Sequence, residues 1–229
     1  ASVLNTLLGN GNDTDHFSAA SFASLATVTV SDSTMSIAHL NGAIAEANEA
    51  TGKSTSDDGA TVFSVSAGAT INSGNETAFT TLLDNEDAGL ITLTDQNLTV
   101  DSGNVSVTNA KLLAATTTGT ITATIATDES VDSLKTLYDT EETNAYTITI
   151  TSSDADASQS TAAEFIAINN ATSLAVNAAS VTALASSSIS DIKTLLTAGN
   201  DTDQFTAASF GSLETVVVSD STLDVSDLI

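Results

Sequence analysis

Residues 1–41 recur without a gap as residues 189–229, and this recurrence constrains the fold more than any other feature of the chain. The segment Leu7–Leu40 returns as Leu195–Leu228, with 22 of 34 positions identical. A fixed internal period marks an array of repeated supersecondary units, each too small to bury its apolar face alone. The chain therefore reads as one period, residues 1–188, followed by the start of the next, residues 189–229. It is expected to be cut from something longer.

A smaller beat runs inside the long one. Thr-rich strand candidates fall at Thr27–Ser31, Ala60–Ser66, Leu90–Thr94, Thr120–Ile125, Tyr146–Thr151, Leu174–Asn177 and Thr215–Ser219. Their spacing, roughly 25–40 residues, is that of one solenoid repeat. Alternation puts Ile121, Ala123 and Ile125 on one face and Thr120, Thr122 and Thr124 on the other. Tyr146, Ile148 and Ile150 oppose Thr147, Thr149 and Thr151 in the same way.

Between the strands, aliphatic residues recur three or four apart. This predicts short helices at Ile37, Leu40 and Ile44; at Phe79, Leu82 and Leu83; from Val131 through Leu134 and Leu137 to Tyr138; and from Ile189 through Ile192 to Leu195 and Leu196. Asp or Ser precedes several of them, as N-caps do, and Gly or Asn follows at Gly119, Gly199 and Asn169–Asn170, as C-terminal caps do. Strand and short helix in repetition give an α/β fold, a repetitive solenoid of short parallel strands and short helices. Tandem β-sandwich modules are the alternative, because half the 188-residue period is about one sandwich domain.

Composition removes several function classes. The 29 Asp and Glu face only four Lys and no Arg, a net charge of −25. Such a surface repels nucleic acid and anionic lipid, and attracts divalent cations or suits a salty medium. Without Cys there are no disulfides, thiolate metal sites or Cys nucleophiles. No apolar run is long enough to cross a bilayer, so membrane insertion is not expected. The absence of Pro favours uninterrupted regular structure.

The sharpest candidate for chemistry is Gly11-Asn12-Asp13-Thr14-Asp15, repeated as Gly199-Asn200-Asp201-Thr202-Asp203. Two carboxylates one residue apart in a tight turn can face one cation, and calcium takes six to eight oxygens from Asp, Asn and backbone carbonyls. Asn12, Asp13, Asp15, Asn200, Asp201 and Asp203 are thus the candidate metal ligands, with calcium as the cofactor; a polar turn before a helix or strand is the competing reading. Further acidic clusters, Asp57–Asp58, Asp84–Asp87, Asp101–Asn104 and Asp154–Asp156, are expected in loops between elements. Gly52-Lys53-Ser54 matches the end of a phosphate-binding loop, but Ala47 stands where that loop begins with Gly. His16 and His39 become Gln204 and Asp227 in the second copy, and no nucleophile elbow occurs, so an enzyme is not expected.

The acidic Ala/Thr/Ser/Asp bias, the lack of Cys, and segments such as TITATI, YTITIT, LNTLL and IKTLL resemble the repeat regions of giant secreted surface proteins of marine bacteria and cyanobacteria. These are of surface-layer, adhesin or RTX-like type. The resemblance implies an extracellular or cell-surface structural role, in a filament, surface layer or adhesin shaft, with calcium-dependent self-association into a polymer or lattice. A glycan- or ice-binding module is the alternative, with cell-surface glycans as partners and the Thr-x-Thr rows as an ice-facing surface.

Overall fold

The computed structural model describes residues 3–4, 6–7, 25–49, 59–137, 143–151 and 159–222. The fold is mixed α/β, with parallel strands in sheets and short helices. The chain forms two compact units, described separately below. Residues 1–104 and 112–122 make the first, and 105–111 and 123–229 the second. This division does not coincide with the sequence period, which ends at residue 188.

In the first unit β1 (Thr27–Val30), β2 (Thr34–Ser36) and α1 (Ile37–Glu49) precede β3 (Val62–Val65), β4 (Thr70–Asn75) and α2 (Glu76–Asp87). Then come β5 (Ile91–Thr92), β6 (Asn97–Ser102), the end of α3 (Val107–Thr116) and the start of β7 (Ile121–Thr124). The same order, strand–strand–helix, thus recurs three times. Two parallel ladders follow from it. One joins β1, β3 and β5, with Thr27 opposite Val62 and Phe63 opposite Ile91. The other joins β2, β4, β6 and β7, with Thr34 opposite Thr70, Thr70 opposite Asn97 and Leu98 opposite Ile121. The strands turn Val30, Met35, Phe63, Ile71, Ile91 and Leu98 inward, where Ile37, Leu40 and Ile44 of α1 and Phe79 and Leu82 of α2 are buried. α2 closes through Gly89, at φ 71°, with the Gly89 N–H on the Glu86 carbonyl and the Leu90 N–H on the Asn85 carbonyl. This is a left-handed Schellman stop that only Gly adopts freely.

The second unit contains α4 (Val131–Leu134), β8 (Ala145–Thr147), α5 (Ala162–Asn169), β9 (Ala183–Ser187), α6 (Ile189–Gly199) and β10 (Thr215–Val218). β10 pairs with β9, again parallel, and isolated parallel bridges link Val105 to Ile125, Thr149 to Asn177 and Val176 to Phe205. The core holds Tyr146, Ile148, Ile150, Phe165, Leu184 and Leu195. Phe210 meets Phe165 and Phe205 edge-on, with centroids 5.6 and 5.1 Å apart.

Each strand pair with a defined register is parallel, so among the described residues no antiparallel β-sandwich module forms. The predicted alternation is present: Ile121, Ala123 and Ile125 are buried, and Thr124 is exposed. Several details differ from expectation. Leu174–Asn177 is no strand, only a pair of bridges at Val176 and Asn177. The helix from Val131 stops at Leu134, where Thr136 and Leu137 take i→i−3 bonds that tighten the turn; Tyr138 lies outside the described residues. The caps after α5 and α6 are right-handed, at Asn170 and Asn200, rather than left-handed Gly or Asn stops. Gly119 ends no helix either. A Cβ there would lie 2.3 Å from the Gln96 carbonyl oxygen, so its bareness lets two successive turns of chain touch. β4 and β6 carry too many polar residues to show a strand pattern, and their neighbours' backbones define them instead.

Within each unit, buried polar side chains tie backbone segments that are distant in sequence. The Thr61 hydroxyl donates to the Leu25 carbonyl, at 2.7 Å. Gln96 Nε2 donates to Val65 and Ser66 carbonyls, and Thr117 to the Gln96 carbonyl. Ser187 Oγ accepts from the Ala162 N–H and Ser209 Oγ from the Ala178 N–H, both at 2.9 Å. Thr172 is the fullest case. Its hydroxyl donates to the Tyr146 carbonyl at 2.8 Å and accepts from the N–H groups of Tyr146 and Leu174. Thr172→Val keeps the shape but strands these buried groups. It should lower unfolding free energy by about 1–3 kcal/mol, read as a shifted urea midpoint with unchanged slope.

Candidate functional site

The second Gly-Asn-Asp turn lies where α6 ends. The helix begins at Ser188, whose hydroxyl caps the Asp191 N–H, and buries Ile192, Leu195 and Ala198. Gly199 closes it beside Phe210, whose ring would stand 3.1 Å from any added Cβ. The invariance of Gly between Gly11 and Gly199 therefore has a packing reason in this copy. Asn200 caps the helix and donates from Nδ2 to the Leu196 carbonyl at 3.0 Å. The Asp201 carboxylate accepts the Asp203 N–H on Oδ1 and Gln204 Nε2 on Oδ2, at 3.0 and 3.1 Å. Asn200 and Asp201 thus shape the turn that delivers Phe205 to the core, and the exposed Asp203 continues it. Asn12, Asp13 and Asp15 lie outside the described residues. Among the described residues no group of three or more His, Asp or Glu is placed to hold a metal ion.

Asp203 also lines a polar cleft of about 320 Å³ with Asn169, Asn170, Thr172, Ser173 and Gln204. α5 delivers Asn169 and Asn170 at its C-terminal end. That helix is fixed by a capping box, in which Thr161 and Glu164 each bond the other's backbone. Asn169 Nδ2 donates to Gln204 Oε1 at 3.3 Å, so Asn169, Gln204 and Asp201 form a short hydrogen-bonded row. The cleft offers amides, hydroxyls and one carboxylate, groups that recognise a hydroxylated or hydrated ligand. Among the described residues no aromatic ring lines it for a sugar to stack on. Sequence reading passed over Gln204 because the first copy has His16 there; the structure gives it a role that His would fill differently. The Thr161-x-x-Glu164 signature that positions this wall was present in the sequence.

The acidic residues do more than decorate loops. Asp95 accepts the N–H of Gly68, Asp101 that of Ser73, Glu129 that of Val107 and Asp220 that of Ile189, at 2.7–3.1 Å. Each carboxylate reaches back 22–31 residues to an earlier turn of chain. Val107 and Ile189 open helices α3 and α6, where negative charge also meets the positive end of the helix dipole. Ser73 holds φ 63°, a left-handed conformation that the Asp101 carboxylate supports. Asp84–Asp87 belongs to α2 rather than to a loop, and Asp101 to β6. Asp57–Asp58, Asp154–Asp156, Gly52–Ser54 and His16 lie outside the described residues, and His39 is exposed on α1.

Lys135 caps α4 and bonds both Asp132 and Glu164, the latter at 2.7 Å. The hydrogen bonds to Asp132 and then Glu164 hold its ammonium above the ordinary lysine value. For Glu164, burial pushes the carboxyl upward, but the bonds from Lys135 and from Thr161 outweigh it and the value falls below the usual range. A lowered folded-state value means that this carboxylate stabilises the fold above its unfolded pKa. That contribution is lost as pH falls through the folded one. Glu164→Gln should therefore reduce stability at neutral pH and match the parent chain in acid. Urea midpoints of both chains in a series from about pH 7 down through and below the ordinary Glu value test this: the gap should shrink steadily as pH falls, and a gap constant across the series would refute it.

No described helix is long and apolar enough to cross a membrane. No protein-family model, curated protein or solved structure matches the chain.

Proposed function

We propose that this chain is a structural segment of a long extracellular repeat protein that forms a filament, surface layer or adhesin shaft. Its strand–helix turns stack as a repetitive solenoid, and calcium offsets the acidic faces where copies meet. The observation that carries this reading is the parallel pairing of β1–β7, β9 and β10 with strands 23–36 residues along the chain. Such a ladder grows by adding turns, and the 188-residue recurrence supplies the means of adding them. The charge of −25 opposes close packing of copies unless cations intervene. Electron microscopy of native material, with calcium and after chelation, tests both parts. Ordered filaments or sheets that dissolve on chelation are expected. Polymers that survive chelation would remove calcium from the reading, and dispersed particles under both conditions would sink the structural role.

A glycan-binding module is the second reading, favoured by the polar cleft around Asn169, Asp203 and Gln204. It ranks below the first because none of the described residues that line the cleft carries an aromatic ring. If it holds, glycan arrays should give hits that Asp203→Ala and Asn169→Ala weaken by tenfold or more; arrays without hits dismiss it.

A further inference from the structure

The recurrence places one strand sequence in two settings. β1, Thr27–Val30, and β10, Thr215–Val218, are the same strand 188 residues apart, differing only at Thr29 and Val217. In the first unit the carbonyls of Ala26 and Val30 accept the N–H groups of Val62 and Ser66, so the even-numbered residues face β3. In the second unit the Thr182 carbonyl, which also takes the Glu214 N–H just ahead of the strand at 2.8 Å, and the Ser187 carbonyl accept the N–H groups of Thr215 and Ser219. These are the counterparts of Thr27 and Ser31, so the odd-numbered residues face β9. Backbone groups alternate between the two edges of a strand. The two copies therefore use opposite edges of one sequence, and among the described residues each pairs on one edge only.

Side-chain burial agrees. Val30, beside β3, is 4% exposed, whereas its counterpart Val218 is only half-buried. Val28 is half-buried, and its counterpart Val216 is 38% exposed. The apolar surface that β10 leaves open is the surface that β1 covers when a β3 strand lies beside it.

We propose that this strand is the joint between periods: it takes β9 on one edge and, on the other, the Val62–Val65 strand of a second copy of the period. The ladder then runs through the junction as β9, repeat strand, β3, with the pairing of Thr27–Val30 to Val62–Val65 reproduced on Thr215–Val218. The chain's growth as an array rests on the structural reading above; the joint itself rests on the two observed pairings.

The test extends the full chain after Ile229 with its own residues 42–229, which places a second Val62–Val65 downstream of β10. Ser64 Oγ donates to Thr29 Oγ1 at 3.2 Å, on the exposed face, and the protein has no Cys of its own. Directly opposed parallel residues stand ~4.8 Å apart, within the ~4.4–6.8 Å that a disulfide spans. Thr29→Cys with the first Ser64→Cys gives the reference cross-link. Val217→Cys with the appended Ser64→Cys gives the joint cross-link. Both should form on mild oxidation to similar extents, and amide exchange at Val216 and Val218 should slow by tenfold or more relative to the 229-residue chain. A reference cross-link without the joint cross-link overturns the proposal, as does an appended period that stays unfolded beside an unprotected β10. A joint that forms while native material images only as dispersed particles would refute the array and leave the joint standing.

Discussion

The structure depends on satisfying backbone groups where the chain turns between strands. In a parallel ladder the strand interiors pair with one another, but buried backbone groups just outside the strands need partners of their own. Buried side chains fill this gap. Thr61, Gln96, Thr117, Thr172, Ser187 and Ser209 sit below 9% exposure, and each bonds backbone. Among the described residues no buried side-chain polar atom lacks a partner. The same groups fix register, because a shifted turn of chain would carry them away from the carbonyls they serve.

The acidity of the chain has two uses in this arrangement. Part is internal: Asp95, Asp101, Glu129 and Asp220 accept N–H groups from an earlier turn of chain, two of them at helix starts. The remainder adds to the net charge of −25, which in the proposed array would oppose close approach of copies unless cations intervene. Lys135 gathers two carboxylates, Asp132 and Glu164, at close range, so part of the charge is balanced locally there.

Much of the fold was legible. Clean alternation marked β7 and β8, and aliphatic spacing marked α1, α2 and α6, because those elements bury one face in a regular way. β4 and β6 were not legible: Thr70–Asn75 and Asn97–Ser102 owe their extension to backbone pairing on both sides, which leaves no pattern in the side chains. α3 and α5 were missed because Ala-rich segments offer little contrast between faces, although the capping box at Thr161 announced α5. The Gly-Asn-Asp turn was legible as a turn, but the helix end, the Asx-type bond and the close approach by Phe210 at Gly199–Asp203 emerge only in the folded chain. The cleft beside it joins Asn169 to Gln204 across 35 residues, a proximity that no local pattern encodes.

The sequence alone determined the period, the acidity, the absence of thiol chemistry and the two-layer rhythm of strand and helix, since these follow from composition and local spacing. Tertiary structure decided that the strands are parallel and which of them pair. It also decided which edge of the repeat strand each copy uses, and which polar residues are buried at the corners. Pairing in a parallel ladder joins segments 23–36 residues apart, and its backbone bonds are indifferent to side-chain identity. Partner and register are therefore selected by packing and by corner hydrogen bonds, which exist only once the turns of chain lie against one another.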